Sequence, residues 1–137
     1  MAQMSGIIFS DLGQAASFMT LDWVQSALKR CLGFDAFPAT LNVRPKAAQD
    51  ARLWRRVRDQ SAGVRLAPTN GGFCAARLYP IEILTGTGAT GEKIAGAILF
   101  PEVENYPDDK IEIVAPLRLK QHLGVTDGDQ LTWEFRN

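Results

Sequence analysis

The sequence predicts a small, mainly β barrel with one or two short helices. Three observations carry that expectation. Short apolar runs of strand length recur along the chain, at residues 5–10, 37–43, 63–67, 73–84, 93–100, 111–114 and 131–135. Clusters of Gly, Pro, Asn and Asp separate them, which is the punctuation of turns. Few segments show helical spacing, and many short strands with few helices close as a compact barrel. The 137 residues suit one core, read as a single domain over 1–137.

The first strand is Ser5-Gly6-Ile7-Ile8-Phe9-Ser10, followed by a loop of small residues from Asp11 to Ser17. Leu21, Val24, Ala27, Leu28 and Cys31 fall on one face at helical spacing. Thr20 is the expected N-cap and Gly33 the stop, with Lys29 and Arg30 suited to the negative end of the helix. The second strand is Phe37 to Val43. Within it Thr40 and Asn42 stand two residues apart, so they share a face. That alternation describes a half-buried strand with a solvated side. A hydroxyl and an amide oxygen are also hard ligands that suit Mg²⁺ beside phosphate oxygens and waters. Both readings stand at this point.

Lys46 to Arg58 forms a helix around Leu53, Trp54 and Val57, with Arg52, Arg55, Arg56 and Arg58 outward. Such a run of arginines raises a nucleic-acid reading. A formal net charge of zero and the lack of an aromatic RNA-binding motif point instead to a solvated or partner-facing helix.

Gly63 to Ala67 is a short strand, and Pro68-Thr69-Asn70-Gly71-Gly72 a turn in which Asn-Gly supplies positive φ. Phe73 to Leu84 is a long strand interrupted at Pro80, which belongs at an edge or a bulge. Thr85 to Gly91 is glycine-rich but lacks the Lys-Ser/Thr of a phosphate loop, so a hairpin loop is expected. Lys93 to Phe100 is a strand ended by Pro101, and Glu102 to Asp109 an acidic loop. Ile111-Glu112-Ile113-Val114 is a strand with one carboxylate, broken by Ala115-Pro116. Leu117 to Leu123 is a short helix with Pro116 at its start and Gly124 at its end. Thr126 to Asp129 turns the chain into the closing strand, Leu131 to Phe135.

Met1 to Gly6 has neither the basic nor the apolar stretch of a secretory leader. No run approaches the roughly 18 apolar residues of a membrane span. Cys31 and Cys74 stand apart, and with one histidine they do not compose a structural zinc site. Reduced, buried cysteines, a cytoplasmic location and no membrane or nucleic-acid partner are the expectation.

Three segments carry a family likeness. Leu32-Gly33-Phe34 leads into Phe37-Pro38-Ala39-Thr40-Leu41-Asn42-Val43. Ile111-Glu112-Ile113-Val114-Ala115-Pro116 leads into Leu117-Arg118-Leu119-Lys120. Leu123-Gly124-Val125-Thr126-Asp127-Gly128-Asp129 follows. In order and approximate spacing they resemble the CTP-dependent riboflavin kinases of archaea, over nearly the whole chain. The resemblance implies a six-stranded cradle-loop (RIFT-type) barrel. It implies phosphoryl transfer from a nucleoside triphosphate, CTP, to riboflavin, giving FMN with Mg²⁺ as cofactor. It implies Thr40 and Asn42 as metal ligands, and Glu112 as the flavin contact and general base. Leu12, Gly13, Leu117, Arg118, Leu119 and Lys120 would contact the nucleotide, and Glu104 stands where the family has a flavin-binding threonine. Backbone groups at a helix N-terminus near Leu117 suit an anion. On the residues alone, Glu112 also reads as a strand carboxylate facing solvent or paired with Arg118.

The chain departs from the family pattern in places. Asp11, Ala15 and Ala16 stand where the family has two glycines and a basic residue, and Ala39 replaces a glycine. Two further functions therefore stand beside the kinase. One is a non-catalytic, kinase-derived module binding a flavin or another small anionic ligand. The other is an enzyme with a different alcohol acceptor or metal, in which Glu104 and Glu112 are extra carboxylate ligands.

Overall fold

The computed structural model describes residues 2–10, 18–68, 75–85 and 91–136. Along the chain these form β1 (Gln3–Ile8), α1 (Asp22–Leu32), β2 (Leu41–Pro45), α2 (Ala48–Gln60), β3 (Val64–Leu66), β4 (Ala76–Leu84), β5 (Lys93–Pro101), β6 (Ile111–Val114), α3 (Leu119–Leu123) and β7 (Gln130–Phe135). The sheet runs β3-β4-β5-β6-β2-β1-β7, and β7 pairs back onto β4. Six antiparallel strands thus close a barrel, as expected, and β3 lies outside the ring.

Residues 76–78 of β4 pair with β3, and residues 81–84 of the same edge pair with β7. Pro80 falls at the changeover, where its missing N–H breaks no ladder bond. Its carbonyl accepts from the Arg136 N–H at 3.0 Å. On the other edge the strand continues through Pro80, opposite Ala97.

Side chains alternate between two cores, as the period of a strand requires. Met4, Ile8, Leu41, Val43, Ile81, Ile83, Ile98, Ile111, Ile113 and Trp133 fill the barrel interior. Leu66, Ala76, Leu78, Ala97, Leu99 and Val114 point outward and are covered by Val24, Ala27 and Leu28 of α1. Trp54 of α2 joins the interior core, stacked on Phe135 with centroids 6.2 Å apart and edge-on to Tyr79 at 5.3 Å. This parity puts Asn42 and Glu112 on the outer face.

Several boundaries differ from the expectation. β1 begins at Gln3, two residues early, because Gln3 to Ile7 pair with Gln130 to Glu134. Leu21, not Thr20, is the N-cap of α1, without a side-chain acceptor, and Gly33 ends that helix at φ 82°. β2 starts only at Leu41, so Phe37 to Thr40 is irregular. The Phe37 N–H donates to the Ala115 carbonyl at 2.8 Å and ties this lead-in to the break after β6. Arg58 does not face outward: its side chain is 13% exposed, pairs with Asp108 at 3.2 Å and lies 5.1 Å from the rings of both Trp54 and Phe100. α3 starts at Leu119, so Pro116 is not its first residue, while Gly124 ends it at φ 65°. Cys31 is free but half-buried. Cys74, the loop of residues 11–17 and most of the glycine-rich loop lie outside the described residues. Among the described residues no helix is long and apolar enough to cross a membrane.

Candidate functional site

The site grows from one cross-strand pair. Asn42 of β2 sits opposite Glu112 of β6, so their Cβ atoms are roughly 5 Å apart on the outer face. Thr40, one step along the same face, donates its hydroxyl to Glu112 Oε1 at 3.1 Å. Tyr106 donates its hydroxyl to Glu112 Oε2. Glu112 is only 4% exposed, so it is neither a solvent-facing carboxylate nor a partner of Arg118. Two hydroxyl donors leave about two of the four lone-pair sites of a carboxylate free.

Two cavities flank the Thr40–Glu112 hydrogen bond, Thr40 lining one and Glu112 the other. The first, of about 210 Å³, is lined by Phe9, Ser10, Thr40, Asn42 and the segment from Leu117 to Lys120. The second, of about 550 Å³, is lined by Phe18, Leu99, Glu104, Tyr106, Lys110 and Glu112. The Thr40–Glu112 hydrogen bond is the wall between them.

Asn42 Oδ1 is buried without a hydrogen-bond partner among the described residues. An orphaned buried acceptor is costly, by about 1–3 kcal/mol, and a hard cation would satisfy it. Thr40 spends its proton on Glu112, so its oxygen lone pairs remain. The two oxygens fit a cation that takes its other ligands from phosphate and water. No group of three or more His, Cys, Asp or Glu residues could hold a metal among the described residues.

The remaining expected residues divide between the cavities. Leu117, Arg118, Leu119 and Lys120 border the first. Arg118 is exposed, while Leu119 is buried and packs into the barrel core. Lys120 Nζ is 3.0 Å from Asp127 Oδ1, and Ser10 Oγ donates to Asp127 Oδ2 at 2.6 Å. The Ser10 hydroxyl and the Lys120 ammonium hold the Asp127 carboxyl below its ordinary range. α3 is five residues long and starts past Arg118, too short to lend a strong dipole at Leu117. Glu104 is exposed and borders the second cavity together with Glu112. Thr40 and Asn42 border the other cavity, so Glu104 is not gathered with the pair. Leu12 and Gly13 lie outside the described residues.

Sequence reasoning missed Tyr106, Asp127 and Arg58. Tyr106 reaches Glu112 because Asn105 turns the loop back at φ 64°. The Asn-Tyr-Pro triplet was the one local signal of that turn. Arg58 holds Asp108 of the same loop, and Phe100 packs edge-on against Tyr106 at 5.6 Å. The loop that walls the second cavity is therefore anchored from α2.

Comparison with known proteins agrees with this architecture. A family model described as "CTP-dep_RFKase: Domain of unknown function DUF120" matches residues 8–134. Among curated proteins, the riboflavin kinase of Pyrobaculum islandicum is 33% identical over 133 residues, covering 97% of this chain and 60% of the relative. That of Saccharolobus solfataricus is 31% identical over 137 residues, covering 96% and 73%. That of Methanosarcina acetivorans is 30% identical over 132 residues, covering 94% and 52%. The chain thus spans between about half and three quarters of the length of these relatives. With barrel, segment order and near-complete coverage in accord, the chain belongs to the CTP-dependent riboflavin kinase family.

Proposed function

We propose that this chain, as one barrel domain over 1–137, transfers a phosphoryl group from a nucleoside triphosphate to riboflavin, giving FMN. CTP is the donor favoured by the family. The observation that carries the reading is the Thr40–Glu112 hydrogen bond, 3.1 Å long, between two cavities. A donor in one and an acceptor in the other would meet at a buried carboxylate.

The roles are those the family resemblance implies. Leu117, Arg118, Leu119 and Lys120, with Leu12 and Gly13, bind the nucleotide. Glu104 and Glu112 face the flavin, and the 550 Å³ cavity falls within the roughly 300–1,000 Å³ of small-molecule sites. The ribityl 5′-hydroxyl oxygen forms a bond to the γ-phosphorus as the bond to the β-phosphate oxygen breaks. The nucleoside diphosphate leaves, and the hydroxyl proton passes to Glu112. Thr40 and Asn42 hold Mg²⁺, which when bound supplies charge neutralisation of the phosphates. Tyr106 and Thr40 orient the carboxylate throughout.

The test incubates purified protein with riboflavin, Mg²⁺ and each of CTP, ATP and GTP, and follows FMN by chromatography. FMN formed fastest with CTP is expected; no FMN with any donor would refute the proposal.

A second reading is favoured by Asp11, Ala15 and Ala16, which lack the glycines and the positive charge that suit a polyphosphate. On that reading the barrel binds a flavin or another small anionic ligand without chemistry. Flavin fluorescence quenching without nucleotide, together with absent FMN formation, would support it.

A further inference from the structure

Arg44 lies outside every role given so far. β1 and β2 pair with Ile7 opposite Arg44, which brings Phe9 opposite Asn42. The Phe9 N–H donates to the Asn42 carbonyl at 3.0 Å. Phe9, Asn42 and Arg44 therefore share the outer face. A side chain standing straight out from residue 44 would sit about 7 Å from the Asn42 row. Instead its guanidinium carbon lies 4.6 Å from the centre of the Phe9 ring. The stack carries the charge back to the level of Asn42. The Phe9 ring also lines the cavity of Thr40 and Asn42. It closes a second hollow, of about 260 Å³, with Arg44, Pro107, Asp109 and Lys110.

The charges around the first cavity need a further cation. A metal-bound nucleoside triphosphate carries about two net negative charges. Lys120 is already matched by Asp127 at 3.0 Å. Arg118 borders the same cavity at the start of α3 and offsets one of these charges, which leaves one unmatched. Arg44 makes no ion pair among the described residues, and Asp109 and Lys110, one charge of each sign, line its hollow with it. A guanidinium fixed on a ring face keeps its planar fork ready for two phosphate oxygens.

We propose that Arg44 is a phosphate-binding residue of the nucleotide site, positioned by Phe9. This rests on the phosphoryl-transfer reading above. Arg44 would take the oxygens of the outer phosphates, adjoining those held through Thr40 and Asn42.

Calorimetric titration tests it with the wild-type chain, Arg44→Met and Arg44→Lys. Each is titrated with CTP, CDP and cytidine in Mg²⁺, and separately with riboflavin. Arg44→Met is expected to weaken CTP by about tenfold or more, CDP by less, and cytidine and riboflavin not at all. Arg44→Lys, which keeps the charge but not the fork, should fall between. Unchanged CTP affinity in both variants, or equal weakening of CTP and cytidine, overturns the proposal and leaves the phosphoryl-transfer reading standing. A wild-type chain that binds no nucleotide overturns both.

Discussion

Glu112 is the residue on which the site turns. It is 4% exposed and has no cationic partner among the described residues, only the hydroxyls of Thr40 and Tyr106. Tyr106→Phe removes one donor and keeps the ring against Phe100. We expect kcat for FMN formation to fall about tenfold or more with little change in the riboflavin KM, since orientation rather than binding is lost. Asp50 is a second buried carboxylate, at 7% exposure. It accepts the Ser5 N–H at 3.0 Å and the Ala47 N–H at 3.1 Å. Ala47 has no side-chain oxygen to return the bond, so Asp50 alone caps α2. Asp50→Ala orphans both donors and should lower stability by about 2–4 kcal/mol in urea denaturation. Glu102 shows the pH behaviour of a partly exposed group. Arg65, then Arg77, hold its carboxyl below the ordinary range. A lowered folded pKa adds stability above the ordinary value and loses it as pH falls through the folded value. The stability difference between wild type and Glu102→Gln should therefore shrink toward zero as the pH drops below about 4. It should stay small throughout, because Glu102 is 25% and Arg65 64% exposed.

At the scale of elements, close approach of backbones sets the tolerances. A Cβ on Gly96 would lie 2.7 Å from the Val114 carbonyl oxygen of β6 and 3.1 Å from Ile83 Cδ1. Gly96→Ala must push β6, which also carries Glu112. We expect a loss of about 1–3 kcal/mol and impaired activity together, read from urea midpoints and FMN formation. Much of this layer was legible in the sequence. The four-residue β6 and the turn after it were readable because apolar alternation and Ala115-Pro116 are local signals. The Leu53-Trp54-Val57 face of α2 was readable for the same reason. The helix starts were not. Thr20 looks like a cap, but the chain enters α1 through extended Leu21. Arg58 looks solvated, but Trp54 and Phe100 fold around it from two elements. Tyr106 and Asp50 act across turns and long separations, Asp50 reaching a residue 45 positions away. Thr40 and Asn42 could be read as a pair from spacing, but only the Asn42–Glu112 register joins them to a carboxylate.

For the whole molecule, ring closure makes each of the six barrel strands depend on at least two neighbours, and α1 roofs an outer core that shares its strands with the inner one. Trp23 packs against the outer core, while Trp54 and Trp133 lie in the inner one. If the chain is one domain, urea unfolding should give coincident transitions by tryptophan fluorescence and far-UV circular dichroism. Separate midpoints for the two signals would mean that the α1 layer melts alone. Function draws on the same continuity. The two cavities are shaped by β2, β6, the Phe37 lead-in and the loop that Arg58 anchors, and they meet where Thr40 touches Glu112. The most direct measurement of that arrangement is single-turnover FMN formation by wild type beside Glu112→Gln, with riboflavin binding followed in parallel. We predict that wild type converts riboflavin in the presence of nucleotide and Mg²⁺. The variant should bind riboflavin but lose at least about a hundredfold in rate. A variant that binds riboflavin and turns over at the wild-type rate would contradict a catalytic carboxylate at the junction.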